Sequence, residues 1–232
     1  MKQRHGFIDK EGKLVIGYQF SNAKAFANGL AAVEKDGAWG YIDKTSKVAI
    51  AFQFDDANAF SDGLAEVKSG GDFGGKCGFI DTKGSFVANP KFDHCGTFKG
   101  GLAPVEIDDK WGYVDKSGEM AIEPQFDAAH HFSNGLAAVR VGTSAGGKYG
   151  FIDKSGKIRI NPQFSDVRPF FDGLAAVKID GDWGYINEDG KMVIEPQFDE
   201  AGGFDNGVAR VKLDGQFGWL DKKGKYIWQP TK

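Results

Sequence analysis

Gly40-Tyr41-Ile42-Asp43 decides the fold, because it does not stand alone. Its counterparts are Gly6-Phe7-Ile8-Asp9, Gly78-Phe79-Ile80-Asp81, Gly112-Tyr113-Val114-Asp115, Gly150-Phe151-Ile152-Asp153, Gly184-Tyr185-Ile186-Asn187 and Gly218-Trp219-Leu220-Asp221. The steps between them are 34, 38, 34, 38, 34 and 34 residues. A second signature keeps the same phase, as Asn28-Gly29-Leu30, Asp62-Gly63-Leu64, Asn134-Gly135-Leu136 and Asn206-Gly207-Val208. A period of this size marks a repeat architecture. The units run 6–39, 40–77, 78–111, 112–149, 150–183 and 184–217, with a partial unit over 218–232. Residues 1–232 therefore read as a single array with no second domain.

Working outward, each unit reads as three short strands, as in Leu30-Ala31-Ala32-Val33, Trp39-Gly40-Tyr41-Ile42 and Val48-Ala49-Ile50. Asp36-Gly37, Asp180-Gly181 and Asp214-Gly215 are two-residue hairpin signals, suited to positive φ at both positions. Asp153-Lys154-Ser155-Gly156 and its copies read as the turn between the second and third strands, with Asp bonding the backbone ahead of it. A proline (Pro90, Pro124, Pro162, Pro196, Pro230) is expected to end the third strand in most units. That strand is apolar at successive positions, so both its faces are expected to be covered. The strand glycine implies a close approach, expected from a neighbouring aromatic ring. A unit this short cannot bury such surfaces alone, so neighbours must stack. The expected fold is all-β, an array of roughly 34-residue three-stranded antiparallel meanders stacked as an open β-solenoid or superhelix. The alternative is a six- or seven-bladed β-propeller, which closes by sharing a blade between the termini; like hairpins at the two ends offer no such complement.

Trp39-Gly40-Tyr41-Ile42-Asp43-Lys44, Ile122-Glu123-Pro124-Gln125-Phe126-Asp127 and Phe132-Ser133-Asn134-Gly135-Leu136-Ala137 resemble the bacterial WG-repeat (KWG-repeat) family. The likeness extends over nearly the whole chain. It implies a β-rich repeat array and transfers no catalytic residue. Cys77, Tyr149 and Phe217 stand where the pattern has Trp, and Ser46 where it has the turn glycine.

Charge narrows the function. Lys+Arg (29) and Asp+Glu (32) leave a net −3 across 232 residues, so a protein that coats nucleic acid is not expected. No apolar run approaches the ~18 residues of a membrane helix, so no membrane insertion is expected. No signal peptide is visible, which makes the cytoplasm the default location. The recurring turn aspartates supply one carboxylate each, too few for calcium. His94 and His130 fall at different offsets in the repeat, and the adjacent pair His130-His131 does not make a metal spacing. No enzyme activity, cofactor or metal is expected. Cys77 and Cys95 read either as small core residues or as a bonded pair.

Positions that break the period are the candidates for contact. One lies just before the second ring of the linking segment and reads Lys24, Asn58, Gly96, His130, Arg168 and Gly202. Varied side chains on a regular scaffold suit partner recognition. Phe73 lies in one of two lengthened hairpins, and Trp228 in the last hairpin. Lys24, Asn58, Phe73, His130, Arg168 and Trp228 are therefore the expected partner contacts. The expected function is a non-enzymatic scaffold that binds a protein or peptide through loops of the array, with a second copy bound end to end among the partners. The alternative is a module for a cell-surface glycan or wall polymer. Exposed aromatic rings would favour the glycan, and buried rings the protein.

Overall fold

The computed structural model describes residues 4–71 and 75–229. Among these there is no helix, and strands account for all regular structure. The three strands read from the sequence are present, and the linking segment supplies a fourth of two residues. In one sheet Asn22–Ala23, Leu30–Lys35, Ala38–Asp43 and Val48–Phe54 lie side by side in chain order, all antiparallel.

The chain divides into two compact units, residues 1–108 with 114–120, and residues 109–113 with 121–232. The first holds a hairpin of His5–Ile8 with Leu14–Phe20, the sheet just described, and a copy built from Asp56–Ala57, Leu64–Ser69, Lys76–Asp81 and Phe86–Phe92. His94–Cys95 then pairs with Leu102–Ile107. The second holds three complete copies. They are Ala128–Ala129, Leu136–Val141, Lys148–Asp153 and Ile158–Phe164; Asp166–Val167, Leu174–Ile179, Asp182–Asn187 and Met192–Phe198; and Glu200–Ala201, Val208–Leu213, Gln216–Asp221 and Tyr226–Trp228.

Turn chemistry closes the hairpins. Asn134 and Gly135 carry φ of 50° and 80°, and Ser133 and Leu136 exchange backbone hydrogen bonds across them at 2.8 and 3.0 Å. Asp180 and Gly181 do the same between the first and second strands, at φ 51° and 103°. In the turn before the third strand, Asp153 Oδ1 accepts the N–H groups of Ser155 and Lys157 at 2.9 and 3.2 Å and the Ser155 hydroxyl at 2.6 Å.

Three expectations are corrected. The proline does not end the third strand; Pro162 lies inside Ile158–Phe164 at a bulge, and Pro230 lies outside the described residues. Tyr149 pairs with Phe164 and Phe151 with Ile160, so Gly150 alone faces the three residues Asn161-Pro162-Gln163. A Cβ on Gly150 would stand 2.5 Å from the Ile160 carbonyl oxygen and 2.7 Å from the Pro162 nitrogen. Backbone, not an aromatic ring, is what approaches this glycine, and Gly78, Gly112 and Gly184 meet the same arrangement; at Gly218 the expected ring is present, since a Cβ there would stand 2.6 Å from the Tyr226 ring. Nor is the third strand covered throughout. Ile16, Ile50, Ile122, Ile160 and Ile194 are buried, whereas Val15 and Val48 are 54% and 49% exposed. This strand is the outer edge of its sheet, and it is covered only where the turn of a neighbouring sheet sits on it, as Gly84 does on Ile50.

The core is a chain of local clusters in which one ring contact recurs. Tyr41 packs on Phe60, Phe79 on Phe98, Phe151 on Phe170 and Tyr185 on Phe204, with centroids 5.0, 4.8, 4.8 and 4.9 Å apart at tilted or edge-on angles. Such geometry adds to the area term by about 1 kcal/mol per pair. Stacking between sheets uses the turn glycine: Gly84 sits on Ile50, Gly156 on Ile122, Gly190 on Ile160 and Gly224 on Ile194. A single repeat has no such neighbour, which is why the strands need the array.

Cys77 and Cys95 are joined in a disulfide with their Cα atoms 6.1 Å apart. In the other sheets the equivalent residues are Trp39 with Ala57 and Trp183 with Ala201, which share a core cluster. The bond occupies the place of a tryptophan–alanine contact.

Candidate functional site

The non-repeating position follows the short linking strand and has a fixed backbone. Its N–H donates to the first strand, from Lys24 to Ala32, Asn58 to Glu66, His130 to Ala138, Arg168 to Ala176 and Gly202 to Arg210, at 2.8–2.9 Å. Where the preceding ring is Tyr, its carbonyl also accepts the phenol. Tyr41 donates to Asn58, Tyr113 to His130 and Tyr185 to Gly202 at 2.8–2.9 Å. Burial holds the three phenols well above their ordinary pKa, with the charges of Glu66 and Asp56 adding to this at Tyr41. They stay protonated donors.

With the backbone held, the side chain at this position covers the ring that starts the second strand. Lys24 Nζ lies 4.9 Å from the Trp39 centroid, the His130 ring 5.6 Å from Tyr149 and the Arg168 guanidinium 5.2 Å from Trp183. Where the position is Gly202, Arg210 of the first strand takes over, 4.4 Å above Phe217.

The row also bridges neighbouring sheets. Lys24 Nζ reaches Asn58 Oδ1 at 2.5 Å and Asp56 Oδ1 at 3.3 Å. Asn58 Nδ2 donates to Glu66 Oε2 at 2.8 Å, and burial raises that carboxyl above the usual range. Arg168 Nε donates to the Ala201 carbonyl at 2.7 Å. Burial pushes the His130 imidazole down, with the Asp166 charge opposing.

Lys24, Asn58, His130 and Arg168 thus occupy one recurring structural position, and the first two touch. Trp228 stands apart on the last strand, paired with Trp219 and 54% exposed. Phe73 lies outside the described residues. The lengthened hairpins are tethered by the linking aspartates. Gly71 N–H donates to Asp55 Oδ2 at 2.9 Å, and Gly142 N–H to Asp127 Oδ2 at 2.7 Å. Among the described residues no group of three His, Cys, Asp or Glu side chains could hold a metal. No described helix is long and apolar enough to cross a membrane.

Sequence reasoning missed the first-strand residues that share this face. Arg140 pairs with Tyr149, Lys178 with Trp183 and Lys212 with Phe217 across the strands. Aligning the repeats column by column exposes them, since the framework around them is Leu-Ala-Ala-Val.

The chain belongs to the WG containing repeat family, whose repeat matches residues 6–37, 39–71, 78–111, 111–143, 149–181 and 183–216. No curated protein matches it in sequence. Among solved structures it is similar in fold to a eukaryotic initiation factor, at 14% identity and TM-score 0.57, over 89% of this chain and 64% of that one. It is also similar to Hsv2p of Kluyveromyces lactis, at 13% identity and TM-score 0.54, over 88% of this chain and 75% of that one. At these identities the likeness is one of fold.

Proposed function

We propose that this repeat protein is a non-enzymatic scaffold that binds a protein or peptide partner through the recurring non-repeating position, filled by Lys24 and Asn58 in the first compact unit and by His130 and Arg168 in the second, with the loops beside it in each unit. The observation that carries the reading is the burial of the repeated rings beneath a row that does not repeat. Trp39 and Trp183 are 6% and 5% exposed, and Tyr41, Tyr113 and Tyr185 are fully buried. A glycan stacks on open ring faces, which these repeated rings do not offer. Trp219 and Trp228 of the last sheet are exposed. Those rings, with Ile227, equally suit an apolar partner surface, that of a second copy included.

Selection from a library of random short peptides tests the proposal. Peptides should be enriched on the parent protein and lost on a Lys24→Ala, Asn58→Ala, His130→Ala, Arg168→Ala variant of unchanged melting temperature. Peptides indifferent to the four changes, or none while insoluble peptidoglycan retains the protein, would sink it.

A further inference from the structure

At the strand position filled by Glu34, Lys68 and Glu106 in the first compact unit, the second carries Arg140, Lys178 and Lys212. Two residues earlier, the first unit has Ala32, Glu66 and Pro104, and the second Ala138, Ala176 and Arg210. The framework is the same, so the change of charge is not required by packing.

We infer that this face of the second unit binds an acidic peptide segment, whose carboxylates pair with cations already seated on aromatic rings. The inference rests on the peptide-binding reading above and names the chemistry of the peptide. Arg168 and Lys178 lie 5.2 and 5.9 Å from the Trp183 centroid, Arg210 4.4 Å from Phe217 and Arg140 5.9 Å from Tyr149. A guanidinium held against a ring keeps its edge for a carboxylate and loses little freedom on binding one. Lys178 faces Asp166 across the strands, yet no ion pair joins them among the described residues. Lys212, by contrast, is neutralised by Glu200 at 2.9 Å.

The surface also carries a shallow, open recess of about 560 Å³, lined by Arg140, Tyr149, Ser165, Asp166, Lys178 and Gly181, which come from two adjoining sheets. Arg140 Nη2 donates to the Asp127 carbonyl at 3.3 Å, while its Nε is buried with no hydrogen-bond partner. Asp166 and Glu200 interrupt the cations, so spaced carboxylates fit this face better than a continuous phosphate backbone.

Fluorescence anisotropy with a short labelled peptide of alternating glutamate and serine tests this, beside its glutamine–serine counterpart and a single-stranded oligonucleotide. The acidic peptide should bind at least about tenfold tighter than the neutral one, the worth of one charge-assisted hydrogen bond, and weaken with added salt. Arg168→Gln with Arg210→Gln should weaken it about tenfold or more, while Lys83→Gln on an exposed turn of the first unit leaves it unchanged. Should the double variant melt early, Lys178→Gln carries the same test. No binding of the acidic peptide, or tighter binding of the oligonucleotide, overturns the inference. Equal binding of the two peptides, both lost in the arginine variant, overturns the acidic preference alone and leaves peptide binding standing.

Discussion

The phenol of Tyr41 donates to the carbonyl of Asn58 at 2.8 Å, seventeen residues ahead and just past the next linking strand. The same bond joins Tyr113 to His130 and Tyr185 to Gly202. At Phe79 and Phe151 the ring packs on Phe98 and Phe170 as the tyrosines pack on theirs, without a hydroxyl. The ring therefore fills the core, and the hydroxyl separately pins the backbone beneath the variable side chain.

Tyr41→Phe isolates that second role, because phenylalanine already fits the site elsewhere in the chain. The carbonyl of Asn58 loses its donor, and stability should fall by about 1 kcal/mol. Urea unfolding monitored by circular dichroism measures it; a midpoint equal to the parent's would show that the bond contributes nothing.

Glycines at two kinds of position should respond differently. Gly135 has φ 80° and open space where a Cβ would project, so Gly135→Val meets only backbone strain and should lose about 1 kcal/mol. Gly150→Ala would press a methyl onto backbone at 2.5 Å and should lose roughly 3 kcal/mol. The ranking is the test. Equal losses at the two positions would remove the bulge as the reason for the strand glycine.

Asp43, Asp115 and Asp153 are held below the usual carboxylate range, first by the hydroxyls of Thr45, Ser117 and Ser155 and then by turn N–H groups. A pKa depressed by folding contributes stability above the unfolded value, and that contribution is lost as pH falls through the folded value. Thermal stability should therefore decline on acidification below the ordinary aspartate range. Asp153→Asn should flatten part of this decline without opening the turn, since Asn187 already accepts the equivalent N–H groups of Asp189 and Lys191. Carboxyl carbon NMR titration gives the midpoints directly, and an ordinary value for Asp153 would contradict the assignment.

Reduction of the Cys77–Cys95 bond, which spans 18 residues, should cost about 3 kcal/mol. Cys77→Trp with Cys95→Ala rebuilds the contact of Trp39 with Ala57 and should make unfolding indifferent to reductant. If that double variant fails to fold, the two kinds of staple are not interchangeable at this site.

Legibility follows how narrowly a local geometry restricts residue type. Positive φ at Asn134 and Gly135 or Asp180 and Gly181 permits few residues, so those turns announce themselves. The linking strand Asn22–Ala23 is too short to carry an alternation and leaves no signal. Pro162 points to a strand end because a regular ladder excludes proline; the bulge opposite Gly150 removes that exclusion, and a bulge depends on the partner strand. Val48 and Ile50 are both apolar and share the edge strand; Ile50 is buried where the Gly84 turn of the next sheet sits on it, a tertiary contact the sequence does not show. The pairing of Cys77 with Cys95 stays open in the sequence because their separation is a tertiary fact. Lys24, Asn58, His130 and Arg168 stand out by breaking the period, whereas Arg140, Lys178 and Lys212 hide beside an alanine-rich framework.

The main chain at Asn58 and His130 is hydrogen-bonded at both its N–H and its C=O whatever side chain it carries. Gly202 is held in the same way with no side chain at all. The backbone there is thus held whatever the side chain, so the folding cost of a substitution is confined to the bridges that the side chain itself makes, such as Asn58 to Glu66 and Arg168 to Ala201. Such a column behaves as a rewritable register: successive changes alter what the surface greets, while the strands behind it are inherited intact. For an engineer the same separation of backbone from side chain marks where to randomise and where to leave alone.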